Sequence, residues 1–376
     1  MPGNLKQSRI AVSVIFLLHG LVFSTWLCRI PNAQNRLQLS TGLLGLVLLA
    51  TALGSLVAMP ATGWFVAKHG SRSVAMMSSL GFCFALIPLA WADSAWALAT
   101  ALFFFGAAAG SQNVSMNAHA VSVELALERP IMGSFHALFS VGAVAGSALG
   151  GWLAGRGVSM QTHFVSCSVF FAFFTLLAAL KLHQPERPTL IAGLAFRFPR
   201  QVVSLGLLAF CVLIVEGSMA DWSAVYLETV LRTDAGRAAL GYAAYSAAMV
   251  AGRFAGDRVA ATVGRVALVR SGTILAACGL MVTVLAPTPP LAFTGFAIVG
   301  LGLSVITPNV FGAAGRVPGL PSGVGLAAVT TAGYLGFLTG PPLIGGLAQV
   351  VGLRLALGAM LVSLAVAIGL AGETGR

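Results

Sequence analysis

Two carboxylates, Glu216 and Asp221, lie well inside the largely apolar stretch 202–228. Glu216 is roughly 14 residues into this stretch, or about 20 Å along a helix that rises 1.5 Å per residue. Ionisable side chains in apolar spans are costly and usually face a cavity or a partner. A carboxylate in such a place can take up and release a proton as the protein changes shape. We therefore predict that both residues couple protons to movement; the alternative is that they cap a helix break or pair with a basic residue as a fixed strut.

Polar side chains at helical spacing in the first half are candidates for binding a solute. Asn113 and Asn117 are four residues apart, and their amides offer the donors and acceptors that suit sugars and other polyols. His136 and Ser140 are also four apart, and the histidine could contact a solute or relay a proton. The alternatives are hydrogen bonds between helices for the asparagines and a purely structural role for the histidine.

Aromatic side chains add two more candidates. His19, Phe23 and Trp26 share one face of a helix, and the Trp26 ring could stack on a ring-shaped solute. Trp222, beside Asp221, is also predicted to bind the solute. For Trp26 the competing interpretation is a position in the aromatic belt at a membrane surface.

The elements that hold these residues are apolar helices. The 376 residues are 58% hydrophobic and 8% charged, with a mean hydropathy of +0.93. The charged fraction is about a third of the globular norm. About twelve stretches are long enough to span a bilayer, which takes roughly 20 residues each. We predict an all-α integral membrane protein with twelve spans.

The spanning pattern occurs twice, with an offset of about 194 residues. Gly106 returns as Gly300, and Gly146 returns as Gly340. A duplicated bundle of apolar helices is typical of carriers, in which two halves move against each other.

Net charge is +11, and its distribution indicates topology and not nucleic-acid binding. With twelve spans and both termini cytoplasmic, about 15 of the 21 lysines and arginines fall on the inner side, as the positive-inside rule expects. The first span is followed by no small-residue cleavage motif, so it is not interpreted as a signal peptide. The five cysteines are scattered without CxxC spacing, so we expect neither a disulfide framework, a metal site nor a cofactor.

Enzymatic activity is not expected. No nucleophile elbow, HExxH motif or P-loop occurs, and the apolar spans leave no room for a soluble catalytic domain.

Five stretches support a resemblance to one family: 29–32, 59–63, 113–118, 134–142 and 216–222. On these stretches the chain is similar to the major facilitator superfamily along its full length, and within it to the YbjJ-like branch near the fucose-permease-like sugar:proton symporters.

The resemblance assigns a gating role to two cytoplasmic motifs. The turn after the second span contains Gly63, Lys68, Gly70 and Arg72, with Ala67 where the family has aspartate. The corresponding second-half residues are Arg253, Asp257 and Arg258. Arg253 and Asp257 are four apart and can pair on one helical face. In the family such residues hold helices together in the outward-open state; the alternative is that they only orient and anchor the chain.

The resemblance implies two pseudo-symmetric six-helix bundles, residues 1–183 and 201–376, joined by a cytoplasmic linker at 184–200. It implies a monomeric secondary transporter of the bacterial inner membrane that moves a small polar solute, preferably sugar-like, by alternating access with proton coupling. Its partners would be the solute, protons and the lipid bilayer. An efflux carrier for amphipathic compounds is the first alternative, and a non-transporting receptor or scaffold on a carrier fold is the second.

Overall fold

The computed structural model describes residues 2–127, 131–182, 199–314, 316–318 and 322–375, and all regular structure within these ranges is helical. The helices are α1 Pro2–Leu27, α2 Ile30–Leu37, α3 Thr41–His69, α4 Ser71–Phe84, α5 Leu86–Trp91, α6 Ala95–Leu127, α7 Met132–Gly155, α8 Met160–Ala179, α9 Arg200–Thr229, α10 Ala235–Val263, α11 Arg265–Leu285, α12 Pro289–Leu303, α13 Ile306–Ala314, α14 Ser322–Val351, α15 Leu353–Gly358 and α16 Met360–Leu370, followed by the 3₁₀ helix Ala371–Gly375. The predicted all-α fold is confirmed.

Eleven helical stretches within the described residues are long and apolar enough to cross a membrane. Helix α10 is not among them, although its 29 residues are long enough to span. It is rich in alanine and glycine and contains two tyrosines and Arg253. The sixteen α-helices of the described ranges outnumber the spans because several spans consist of two consecutive helices, such as α4 with α5 and α12 with α13.

Proline explains two of the divided spans. Pro88 has no N–H for the carbonyl of Phe84, and α4 ends at Phe84. Pro308 likewise leaves the carbonyl of Ser304 without its helical donor, and α12 ends at Leu303. By contrast, α14 continues as one helix through Pro341 and Pro342.

The chain forms two compact units. The first comprises Met1–Leu39 and Val47–Gly193, and the second comprises Ser40–Leu46 and Leu194–Arg376. The predicted linker at 184–200 lies outside the described residues except for its last two positions.

In the first unit, α1 and α7 pack so closely that glycine is required where they touch. A methyl group added at Gly20 or Gly142 would overlap the carbonyl oxygen of Phe139 or Leu17, respectively. Next to this contact, Phe16 of α1 stacks on Phe135 of α7 with ring centroids 5.4 Å apart. The glycines of α7 therefore serve helix packing, which is how membrane helices gain contact without a hydrophobic driving force.

The second unit repeats the contacts of the first at the offset seen in the sequence. Gly106 of α6 meets the backbone of Thr51 on α3, and Gly300 of α12 meets the backbone of Tyr245 on α10. The hydroxyl of Ser24 on α1 donates to the carbonyl of Gly20, and that of Ser218 on α9 donates to the carbonyl of Ile214. The internal duplication is therefore present in the packing of the helices as well as in the sequence.

A buried arginine ties the end of α1 to α8 in the first unit. The Arg29 side chain is 3% exposed. Its Nε donates to Nδ1 of His163 at 3.2 Å, and its Nη2 donates to the carbonyl of Val158 at 2.8 Å. These bonds hold the ends of two helices together.

Candidate functional site

His19 is the best-connected candidate of the first unit. Its Nδ1 lies 3.0 Å from Oε1 of Gln112 on α6, and both side chains are buried. The imidazole also lies 5.0 Å from the ring of Phe82 and 5.5 Å from that of Phe139, measured between centroids. The bond to Gln112 requires that His19 donate from Nδ1, since a glutamine oxygen can only accept. Gln112 was not predicted from the sequence as a site residue. It is, however, a side-chain amide inside an apolar span, which is the feature that made Asn113 and Asn117 candidates.

The two asparagines are bonded to each other. Nδ2 of Asn117 donates to the backbone carbonyl of Asn113 at 2.8 Å and approaches its Oδ1 at 3.3 Å. Both side chains are half-buried. Part of their hydrogen-bonding capacity is thus used within α6, while each amide has further donors and acceptors.

The remaining first-unit candidates differ in exposure. His136 is exposed, with its ring edge 5.2 Å from Phe16, whereas Ser140 is buried and donates to the carbonyl of His136 at 3.2 Å. Trp26 is 1% exposed. Of these three residues, His136 offers the most accessible polar atoms.

In the second unit, Glu216 lies in a polar cluster formed by three helices. The carboxyl, on α9, interacts electrostatically with the guanidinium of Arg253 on α10. It also interacts with the phenols of Tyr242 and Tyr245 on α10 and of Tyr334 on α14. We call these five residues the Glu216 cluster.

Asp221 and Trp222 lie beside this cluster on α9. Asp221 is half-buried and interacts electrostatically with Tyr242, whose hydroxyl also bonds Ser246. Trp222 is fully buried, and its Nε1 finds no hydrogen-bond partner among the described residues. Tyr242 therefore interacts electrostatically with both Glu216 and Asp221, the two carboxylates predicted from the sequence to couple protons.

Tyr245 is the unusual member of the cluster. Its ring stacks on that of Tyr242 with centroids 5.8 Å apart, and the side chain is 1% exposed. Within the described part of the chain, its hydroxyl makes no hydrogen bond. Leaving a buried hydroxyl unpaired costs free energy and calls for an explanation, such as a bound water or solute.

The sequence contained a signal for these tyrosines that spacing alone did not reveal. The chain has four tyrosines, Tyr226, Tyr242, Tyr245 and Tyr334, and all are in the second half. Three of the four interact with Glu216. Their one-sided distribution distinguishes the two halves as clearly as the carboxylates do.

The gating candidates of the first unit form a turn between α3 and α4. Gly70 has φ +85°, a conformation that favours glycine, and it precedes the first residue of α4. The ammonium of Lys68 lies 4.7 Å from the centroid of the Trp64 ring. Gly63 lies inside α3, and Arg72 is half-buried in the first turn of α4.

The second-half motif is only partly described. Gly264 has φ +80° and precedes α11, as Gly70 precedes α4. Arg253 belongs to the Glu216 cluster. Asp257 and Arg258 lie on α10, but their side chains are outside the described part of the structure, so the predicted pairing of Arg253 with Asp257 stays a prediction.

Comparison with known proteins places this arrangement in a family. Residues 12–321 match the Major Facilitator Superfamily. The chain belongs to the Major Facilitator Superfamily. It is 37% identical over 360 residues to an uncharacterized MFS-type transporter of Yersinia pestis, covering 95% of this chain and 92% of that protein. It is 34% identical over 355 residues to an uncharacterized transporter of Sinorhizobium fredii, covering 92% of each.

A solved structure has the same fold. A bacterial homolog of the human lysosomal transporter Spinster superposes with a TM-score of 0.74 at 18% identity, covering 98% of this chain and 96% of that one. The protein is therefore a multi-pass membrane transporter of the superfamily, whose members are generally non-enzymatic carriers.

Proposed function

We propose that the protein is a proton-coupled carrier of a small polar solute, with sugar-like solutes favoured, in a bacterial inner membrane. The observation that supports this most directly is the Glu216 cluster, in which a carboxyl at membrane depth interacts electrostatically with one arginine and three tyrosines. Tyrosine hydroxyls can donate to and accept from a polyol, and the carboxyl can exchange a proton. The sequence motifs of the YbjJ-like branch favour the same solute class.

Coupling follows from the two ways of neutralising Glu216. A charged carboxylate in an apolar span is costly unless a cation or a proton compensates it. Arg253 supplies the first compensation and a proton supplies the second. A conformational change that alters the distance between Glu216 and Arg253 would then be linked to proton uptake and release, and Asp221 would extend the pathway through Tyr242.

Polar side chains of the first unit are also proposed to bind the solute. His19, Asn113, Asn117, His136 and Ser140 offer both donors and acceptors. Trp26 and Trp222 are proposed to shape the apolar surroundings of the solute, since both are buried. The turn residues after α3 and the charged end of α10 are proposed to gate access, with alternating access by rocking of the two halves of a monomer.

The proposal is tested by flux into proteoliposomes. Candidate sugars, polyols, nucleosides and organic anions would first be screened for solutes that raise the melting temperature of the purified protein, because a ligand of the native state stabilises it. Uptake of the hits would then be measured with and without an inward proton gradient. We expect a neutral polyol to accumulate only with the gradient. Downhill movement without any response to the gradient would contradict proton coupling, and absence of flux for every solute would contradict the carrier.

Two tyrosine variants separate solute binding from folding. Tyr245→Phe removes a hydroxyl that has no partner in the described structure, so we expect an unchanged or higher melting temperature. If that hydroxyl binds the solute, affinity should fall about five- to tenfold, the effect of one hydrogen bond worth about 1–1.5 kcal/mol. Tyr226→Phe is the matched variant, because its hydroxyl donates to the carbonyl of Thr283 at 2.9 Å.

Tyr226→Phe should lower the free energy of unfolding by about 1 kcal/mol and leave solute affinity unchanged. Thermal unfolding and solute titration of both variants distinguish the outcomes. A Tyr245→Phe protein with wild-type affinity would remove that hydroxyl from the proposed site.

A further inference from the structure

A crevice opens between the start of α1 and the end of α8 in the first unit. Its volume is about 230 Å³. The residues that line it are Gln7, Ile10, Ala11, Val14, Phe174, Leu177, Ala178 and Lys181. None of them belongs to the site described above.

The lining follows the same helical spacing on both sides, at positions i, i+3, i+4 and i+7. The floor consists of small side chains, Ala11 and Ala178, which are 2% and 7% exposed. The walls are larger side chains such as Ile10 and Leu177, which are 64% and 46% exposed. Small residues at the floor create the depth, and the exposed apolar walls are suited to hydrocarbon.

Polar groups are confined to one end of the crevice. Gln7 and Lys181 lie at this end, and the exposed Lys6 is one helical turn before Ile10. The seven-residue rise from Gln7 to Val14 makes the crevice about 10 Å long, and its apolar part from Ile10 to Val14 is about 6 Å long. The chemistry is therefore that of an amphiphile with an anionic head and an apolar tail.

We propose that this crevice binds an anionic phospholipid from the leaflet at the basic end of the first unit. One acyl chain lies along Ile10, Val14 and Leu177 over the alanine floor. The phosphate lies at the rim, where Lys181 and Lys6 supply positive charge and the Gln7 amide supplies a donor. The site stabilises the α1–α8 contact and is independent of the transported solute.

The test uses the purified full-length protein in detergent, with no solute present. Phosphatidylglycerol or phosphatidylcholine of the same chain length is added, and bound lipid is counted by native mass spectrometry while the melting temperature is recorded. We expect phosphatidylglycerol to be retained preferentially and to raise the melting temperature. Inorganic phosphate at the same concentration should have no effect, because it lacks the acyl chain.

Two variants locate the site. Lys181→Gln should weaken phosphatidylglycerol binding about fivefold, the factor that corresponds to about 1 kcal/mol per lysine near a lipid phosphate. Leu177→Trp should fill the crevice and displace the lipid. The matched controls are Arg270→Gln, an exposed arginine on α11, and Leu180→Trp, a 71% exposed position after α8 that does not line the crevice.

Equal retention of both lipids by the wild-type protein would overturn the preference for an anionic head. If Arg270→Gln lost as much phosphatidylglycerol binding as Lys181→Gln, the binding would depend on the overall surface charge and not on Lys181 at this crevice. Unchanged binding in Leu177→Trp would exclude this crevice. All of these outcomes are readable whether or not the protein transports a sugar, so failure here is distinct from failure of the proposed function.

Discussion

Glu216→Gln is expected to abolish gradient-driven accumulation while leaving solute exchange intact. The amide keeps the size and hydrogen-bonding capacity of the side chain, but it can neither release a proton nor attract Arg253 as a carboxylate does. With one proton per solute, a pH difference of one unit supports up to about tenfold accumulation, because about 1.4 kcal/mol corresponds to tenfold. In the variant, the ratio of solute concentration inside the proteoliposomes to that outside should level off at about one.

The measurement is steady-state accumulation and exchange in the same proteoliposomes, with a solute identified by the thermal screen. Asp93→Asn is the control, since it removes a carboxylate from an exposed turn between α5 and α6. Accumulation by Glu216→Gln at the wild-type level would remove Glu216 from coupling. Loss of both accumulation and exchange would instead assign Glu216 to solute binding.

The role of Arg253 can be separated from that of Glu216 by the same assay. Arg253 has the spacing of a gating motif, but in the structure its guanidinium interacts with the Glu216 carboxyl. A positioning role for Arg253 would leave downhill flux in place and alter its dependence on the gradient. A purely gating role would slow both directions of flux equally.

The sequence predicted the helices and the duplication well, because both depend on local composition and periodicity. The offset between Gly106 and Gly300 recurs in the residues that they meet, Thr51 and Tyr245. Hydropathy needs no knowledge of tertiary contacts, and neither does a repeated pattern of small residues.

The site was less predictable, because periodicity gives the face of a residue but not the helix opposite it. Asn113 and Asn117 share a face in the sequence, yet the amide bonded to His19 belongs to their neighbour Gln112. Glu216 was selected from depth alone, whereas its tyrosine neighbours come from α10 and α14. Contacts between segments far apart in the chain require the packing of whole helices, which one sequence does not specify.

Gly142→Ala is expected to destabilise the protein, whereas Gly81→Ala is expected to stabilise it. The added methyl at Gly142 would overlap the carbonyl of Leu17 and lie 3.0 Å from the backbone nitrogen of Leu21, and backbone atoms of a packed helix cannot move aside singly. Overpacking of this kind costs about 1–3 kcal/mol. At Gly81, on α4, no described atom lies within 4 Å of the added methyl, so the gain in helix propensity of about 1 kcal/mol should dominate.

The duplication extends this prediction to the second unit and makes it sharper. Gly336 on α14 is the repeat equivalent of Gly142, and a methyl there would lie 2.5 Å from the carbonyl oxygen of Phe210 and 3.0 Å from the nitrogen of Ile214. Gly346, farther along α14, has no described atom within 4 Å of such a methyl and is the matched control. Thermal unfolding should therefore rank Gly142→Ala and Gly336→Ala together below the wild type, and Gly81→Ala and Gly346→Ala at or above it. If Gly336→Ala were as stable as Gly346→Ala, the contact between α9 and α14 would not be as close-packed as the contact between α1 and α7, because a methyl group forced against helix backbone must carry a cost in both places.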